Sequence, residues 1–209
     1  MAETAAWVEV RDEPRHRRRF ETDLVRVYDV EIPPGATTLY HRHTEDTFYV
    51  AVNEATVRDR TWGEEGERTG TAPAGSLLCR PHRSRPLIHE VHNLGPGAMR
   101  LIGAEIKAAP PVTSPAPLEA PGHTLSLERD PLRAYELELA PGESTGEIHY
   151  GFAGLTVFLT IATVSVRTAE GTIATIHAPG DVVWRPEPVR LTITNVGEEP
   201  FRAALGEWR

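Results

Sequence analysis

At 209 residues the chain can form one large domain or two small ones with a real core, and its 40% hydrophobic and 25% charged residues are those of an ordinary globular protein. A net charge of −8 argues against nucleic acid as the main partner, and no apolar run is long enough for a bilayer-crossing helix. The first twenty residues lack the apolar core of a signal peptide, so the expected location is the cytoplasm; the single cysteine, Cys79, excludes an internal disulfide or a cysteine-rich zinc site and is read as a small buried hydrophobe.

The basic run "RHRRR" at 15–19 is read as a solvated surface segment. After it come "LVRVYDVEI", "DTFYVAV" and "GSLLCR", and later "LTVFLTIATVSV", "GTIATIHAP" and "RLTITNV". All are rich in Val, Ile, Thr and Tyr, and all are bounded by glycine and proline breakers. No long stretch carries a 3.6-residue period, so the expected class is all-β.

The chain is also written twice. A shift of 107 carries His16 onto His123, Asp23 onto Asp130, Arg26 onto Arg133, Tyr28 onto Tyr135 and Pro34-Gly35 onto Pro141-Gly142. Further on, Arg80-Pro81 meets Arg185-Pro186 at a shift of 105, and Asn93 meets Asn195 at 102. Two copies of one β-module are expected, at 1–107 and 123–209, joined by a proline-rich linker at 108–122 that suits an extended, semi-rigid spacer.

"YHRHTEDTFYV" at 40–50 carries two histidines one residue apart. Side chains at i and i+2 of a strand leave on one face, roughly 6.5–7 Å apart, so His41 and His43 can address one ion. Gly35, five residues, His41-Arg42-His43, and later Gly75, five residues, Pro81, then His89, three residues, Asn93, resemble the two sequence motifs of the cupins. The resemblance covers nearly the whole chain and implies two tandem jelly-roll barrels, a bicupin. It also implies one divalent metal ion in the first barrel, held by His41, His43, His89 and a carboxylate. The usual glutamate is missing at its spacing, and Asp46 is the expected substitute, with Glu45 and His82 as alternatives. His82 itself is read as a loop histidine. The glycine closing the first motif is replaced by Asn53, and "PHRSRPLIH" replaces the usual Pro-x-Gly turn.

In the second module Ile148, Tyr150, Ala153 and Leu191 stand where His41, His43, Asp46 and His89 stand in the first, so that barrel is expected to be scaffold. Trp184 and Arg185 could line a second pocket there, but a core tryptophan is the preferred reading. Tyr49 and Arg80 are the candidate catalytic or substrate-contacting residues, and Arg suits a carboxylate or phosphate. The resemblance implies an Fe(II) dioxygenase acting on a small organic molecule, with Zn, Mn or Ni as other metals. A zinc cyclase or isomerase, or a non-catalytic ligand-binding cupin, is the alternative. The expected partners are a small-molecule substrate and a second copy of the chain in a homodimer, with neither nucleic acid nor membrane.

Overall fold

The computed structural model describes residues 7–209, and these divide between Lys107 and Ala108 into two compact units. Unit one carries β1 (Val8–Glu9), β2 (His16–Glu21), β3 (Val25–Ile32), β4 (His41–His43), β5 (Thr47–Ala51), β6 (Ala55–Thr61), β7 (Arg68–Ala72), β8 (Leu77–Arg80), β9 (Leu87–Asn93) and β10 (Met99–Ile106). Unit two carries β11 (His123–Arg129), β12 (Leu132–Leu139), β13 (Ser144–Tyr150), β14 (Gly154–Phe158), β15 (Ala162–Thr168), β16 (Gly171–His177), β17 (Val182–Arg185), β18 (Val189–Asn195) and β19 (Phe201–Trp208). The sole helical element among the described residues is a 3-10 turn at Val10–Asp12. None is long and apolar enough to cross a membrane.

Each unit is two facing sheets. The first has orders β1-β4-β9-β6-β7 and β2-β3-β10-β5-β8; the second has β13-β18-β15-β16 and β11-β12-β19-β14-β17. Strand for strand the orders agree, apart from the extra β1, so the sequence repeat is a repeat of topology. Both units are jelly-roll barrels of the cupin type.

The reason for the shared shape lies in a few polar and glycine positions. Gly35 and Gly142 both adopt positive φ, +70° and +79°, which lets the chain turn sharply after β3 and β12. Their amides donate to the backbone carbonyls of Asn93 and Asn195, at 3.0 and 2.9 Å. Asn93 is fully buried; its side-chain amide donates to the carbonyls of Ile32 and Gly97, both at 2.8 Å, and its Oδ1 accepts from the Gly95 amide at 2.9 Å. Asn195 does the same with Leu139, Glu199 and Gly197. Each asparagine therefore staples the loop before the last strand to the end of the strand that precedes the histidine strand or its equivalent. Apolar side chains fill the interior, with Tyr28, Val30 and Ile32 in the first barrel and Tyr135, Leu137, Phe152 and Leu205 in the second.

The proline-rich segment 108–122 carries no strand and lies on the second unit. Leu118 and Ala120 pack against its core, the Leu118 amide donates to the Tyr135 hydroxyl at 2.9 Å, and Arg133 donates to the carbonyls of Ser114 and Pro115.

Replacing Asn93 by alanine strands two carbonyls and an amide in a dry environment. Asn93→Ala should lower unfolding free energy by about 2–4 kcal/mol, and Asn195→Ala by a similar amount. Urea denaturation of the two variants measures both costs.

Candidate metal centre

β4 presents His41 and His43 inward, 0% and 3% exposed, while Arg42 between them turns outward to Glu9 and lies over the Trp7 ring. The antiparallel register with β9 puts His89 directly opposite His41. The facing sheet contributes His16, at the start of β2. Ring centroids lie 4.5 Å apart for His16 and His41, 4.6 Å for His41 and His89, 4.8 Å for His41 and His43, and 5.2 Å for His43 and His89. Nitrogen atoms of His16, His41 and His43 all come within 4.8 Å of one another, as one ion would require. His89 packs beside this trio, next to His41 and His43 but outside the group of mutually close nitrogens, so imidazoles from both sheets face one space.

Their tautomers follow from what stands behind them. His41 Nδ1 faces the Leu39 carbonyl at 2.8 Å, an acceptor only, so Nδ1 carries the proton. His16 Nδ1 donates to Glu13 at 2.7 Å and His89 Nδ1 to Asp59 at 2.6 Å. In its neutral form each ring then presents a bare Nε2 lone pair. The Nε2 of His41 is buried without a hydrogen-bond partner. An orphaned, sealed acceptor surrounded by other imidazoles is what a metal ion would satisfy, and a carboxylate or carbonyl behind the ligating ring is the usual support of a metal-bound histidine.

Glu13 is the most heavily used support. Burial works against its charge, but hydrogen bonds from His16 and from the amides of Arg15 and Leu39 hold the carboxyl below its ordinary value. Burial, reinforced by the neighbouring His16 and His89, pushes His41 down to about 2, and burial with His89 and His41 drives His43 well below the ordinary histidine value. Both rings are held ready as neutral ligands.

The cavity they line has a volume of about 70 Å³. Its remaining wall is mostly apolar, with Val30, Ile32, Val91, Met99 and Leu101, and Tyr49 provides a hydroxyl. That hydroxyl sits 3.4 Å from His43 Nδ1 and 3.2 Å from His82 Nε2. Burial raises the Tyr49 phenol above its ordinary value, so it stays protonated.

Of the residues singled out in the sequence, His41, His43, His89 and Tyr49 come together. Asp46 does not: its Oδ1 accepts the Arg83 amide at 2.9 Å and braces the 81–85 turn, and it is not part of the cavity wall. Glu45 is likewise taken, by the Arg83 guanidinium at 2.7 Å. Arg80 ends β8 exposed to solvent, outside the cavity wall. His82 is no simple loop histidine; it is 4% exposed and stacks on His43, centroids 4.9 Å apart. Cys79 is buried, as a small hydrophobe would be.

His16 is the residue that sequence reasoning missed. It lies within the run taken for a solvated surface, and its arginine neighbours are indeed exposed, yet its own side chain is only 8% exposed. One signal could have found it: the repeat pairs His16 with His123, an identity that a surface run gives no reason to keep.

The fold and this cluster define a cupin barrel able to hold a metal ion on histidines. No family model matches the chain, and no curated protein sequence matches it. Solved structures do. An oxalate decarboxylase mutant from Bacillus subtilis superposes with a TM-score of 0.62 at 13% identity, covering 92% of this chain and 75% of its own. The salicylate 1,2-dioxygenase of Pseudaminobacter salicylatoxidans gives 0.61 at 15% identity, covering 89% and 71%. AerE from Microcystis aeruginosa gives 0.58 at 9% identity, covering 94% and 98%. At these identities the likeness establishes the fold.

The buried histidines make stability depend on pH. His41, His43 and His82, the last lowered to about 4 by burial and by His89, stay neutral when folded, whereas in the unfolded chain they titrate near 6.5. As pH falls below about 6.5 the unfolded state takes up protons that the folded state refuses, so stability is present above that pH and lost below it. Each ring contributes up to about 1.4 kcal/mol per pH unit until its folded value is reached. Thermal melts of metal-free protein between about pH 8 and pH 4.5 should show a steepening fall in Tm, reduced in His82→Gln. A flat profile would contradict the burial.

Proposed function

We propose that the first barrel holds one divalent transition-metal ion on the Nε2 atoms of His16, His41, His43 and His89, and uses it to oxidise a small, largely apolar organic molecule with dioxygen. The observation that carries this reading is the buried Nε2 of His41, partnerless among three further imidazoles, two of them with Nδ1 committed to a carboxylate. Imidazole donors suit Fe(II), Ni, Cu and Zn, whereas Mn favours carboxylates, and this set has none. Bound there, Fe(II) would supply a Lewis-acid and redox centre for substrate and dioxygen. The fold shared with a salicylate 1,2-dioxygenase supports the use of dioxygen.

The chain's own residues have separate tasks. Glu13, the Leu39 carbonyl and Asp59 orient three imidazoles and keep their protons on Nδ1. Imidazole ligands put no negative charge directly on the ion, with Glu13 and Asp59 only behind the rings, which favours a substrate that presents an anionic or readily ionised oxygen. Val30, Ile32, Val91, Met99 and Leu101 exclude water and fit an apolar body, and a cavity of this size admits only a small one. Tyr49 keeps the proton at its hydroxyl, 3.2 Å from His82 Nε2, and offers it in the cavity wall as a hydrogen-bond donor.

The donor count also supports a second reading. Zinc closed by all four imidazoles has no open position and would make the barrel a ligand-free structural or storage site; a zinc cyclase or isomerase needs one imidazole to stand off.

Metal analysis and an oxygen electrode separate these. Purified protein should contain about one ion per chain. His16→Ala, His41→Ala, His43→Ala and His89→Ala should each lose most of it, whereas Asp46→Ala should keep it. Iron-loaded protein should consume O2 with a panel of small phenolic and keto acids, and Tyr49→Phe should lower turnover by about tenfold or more while retaining the metal. Turnover unchanged under strict anaerobiosis would replace the dioxygenase reading with the zinc one.

A further inference from the structure

The second barrel has Ile148, Tyr150 and Leu191 in place of His41, His43 and His89 and keeps only His123, at the position of His16, yet its interior is not simply apolar. Arg185, the last residue of β17, lies with its guanidinium carbon 4.5 Å above the ring of Tyr150, which is 1% exposed and belongs to the barrel core. Its Nη1 donates to Thr156 Oγ1 at 2.8 Å. Its Nε and Nη2 are buried and have no hydrogen-bond partner, and no acidic side chain among the described residues pairs with it. The Tyr150 hydroxyl in turn sits 2.7 Å from His123 Nε2, and His123 Nδ1 donates to the Pro121 carbonyl at 3.0 Å. With that proton fixed on Nδ1, the Tyr150 hydroxyl must be the donor to Nε2, which leaves the guanidinium edge as the unsatisfied donor of the group.

The repeat explains how this arose. His123 stands where His16 stands, Tyr150 where His43 stands, and Arg185 where Arg80 stands; Thr156 replaces Tyr49. In the first barrel Tyr49 fills the space beside the ligands, and Arg80 stays in solvent. Thr156 is far smaller and offers a hydroxyl, so the equivalent arginine folds inward. A buried cation with no counter-ion is costly to keep, and a guanidinium cannot discharge itself by losing a proton. The two free groups, Nε–H and Nη2–H, form the side edge of the guanidinium, whose parallel donors match the two oxygens of a carboxylate. Desolvation works against the charged form of Arg185, with Tyr150 as its only offsetting neighbour, as expected of a cation awaiting its anion.

We propose that the second barrel binds one small organic carboxylate, bidentate on the Nε/Nη2 edge of Arg185 and flanked by Tyr150 and Thr156. This site needs no metal and is independent of the first barrel.

Metal-stripped full-length protein is titrated calorimetrically with acetate, propionate and benzoate, with chloride and phosphate as comparison anions. Stripping the metal removes carboxylate binding in the first barrel, so the outcome does not depend on the function proposed for it. One saturable site per chain is expected for at least one carboxylate. Arg185→Gln should weaken it by about tenfold or more, and Arg185→Lys should fail to restore it because an ammonium lacks the paired edge. In 15N-labelled wild-type protein the Arg185 Nε–H resonance, assigned by its absence from Arg185→Lys, should shift on carboxylate addition; this readout survives even if the glutamine variant does not fold. Undiminished binding in a folded Arg185→Gln protein, an Nε–H resonance indifferent to all three carboxylates, or tighter binding of chloride or phosphate would overturn the proposal.

Discussion

The structure of the first barrel depends on keeping four imidazoles close together without a proton between them. Neutral rings at centroid distances of 4.5–5.2 Å would ordinarily rotate to hydrogen-bond one another or take up water. Here three are pinned from behind, His16 by Glu13, His41 by the Leu39 carbonyl and His89 by Asp59, so that the inward nitrogen of each is an acceptor. The pins also knit the barrel. Glu13 receives the amides of Arg15 and Leu39 as well as His16, and so ties the strand that brings His16 to the loop leading into β4. A change at Glu13 would therefore disturb both the ligand geometry and the closure of the two sheets.

The duplicated architecture shows which features a jelly roll needs and which it can exchange. Asn93 and Asn195 make the same three hydrogen bonds, and Gly35 and Gly142 take the same positive φ, because these positions determine where the chain turns. The inward faces of the histidine strands are free of that duty. His41 and His43 have become Ile148 and Tyr150 in the second copy, and Tyr49 has become Thr156, with no change in strand order. The fold thus tolerates a polar cluster of metal ligands in one copy and, in the other, a buried guanidinium among aromatic and aliphatic side chains. The first places polar rings at its centre; the second fills the equivalent space with a core that includes Tyr135, Leu137, Leu139, Phe152 and Leu205.

A charged ion held by neutral ligands and a buried cation without an acid pose one electrostatic problem in two forms. Each places positive charge in a poorly solvated barrel, with Glu13 and Asp59 only behind the rings in the first and no acidic side chain among the described residues paired with Arg185 in the second. Under both proposals the missing negative charge belongs to a small molecule, and that is an economical basis for selecting anionic or ionisable partners within otherwise apolar walls.

The amino-acid sequence by itself determined the strands, the repeat and the inward pairing of His41 with His43, because strand alternation has a period of two and turns are marked by glycine and proline. It also gave the His89–Asn93 spacing of the second motif. What it did not contain was the distance between sheets. His16 reaches the cluster from the opposite sheet, concealed at the head of three successive exposed arginines, and only the closure of the barrel brings its ring centroid to 4.5 Å from that of His41. Asp46 was expected among the ligands as a substitute for the cupin glutamate missing at its usual spacing, but a three-dimensional neighbour, the Arg83 amide, claims its carboxylate. Arg80 and Arg185 are equivalent in the repeat and opposite in fate, since the size of the residue on the adjacent strand, Tyr49 or Thr156, decides whether an arginine can turn inward. Local patterning is written along one strand; ligand sets and buried charges are settled by contacts across sheets, where packing volume and hydrogen-bond competition rule.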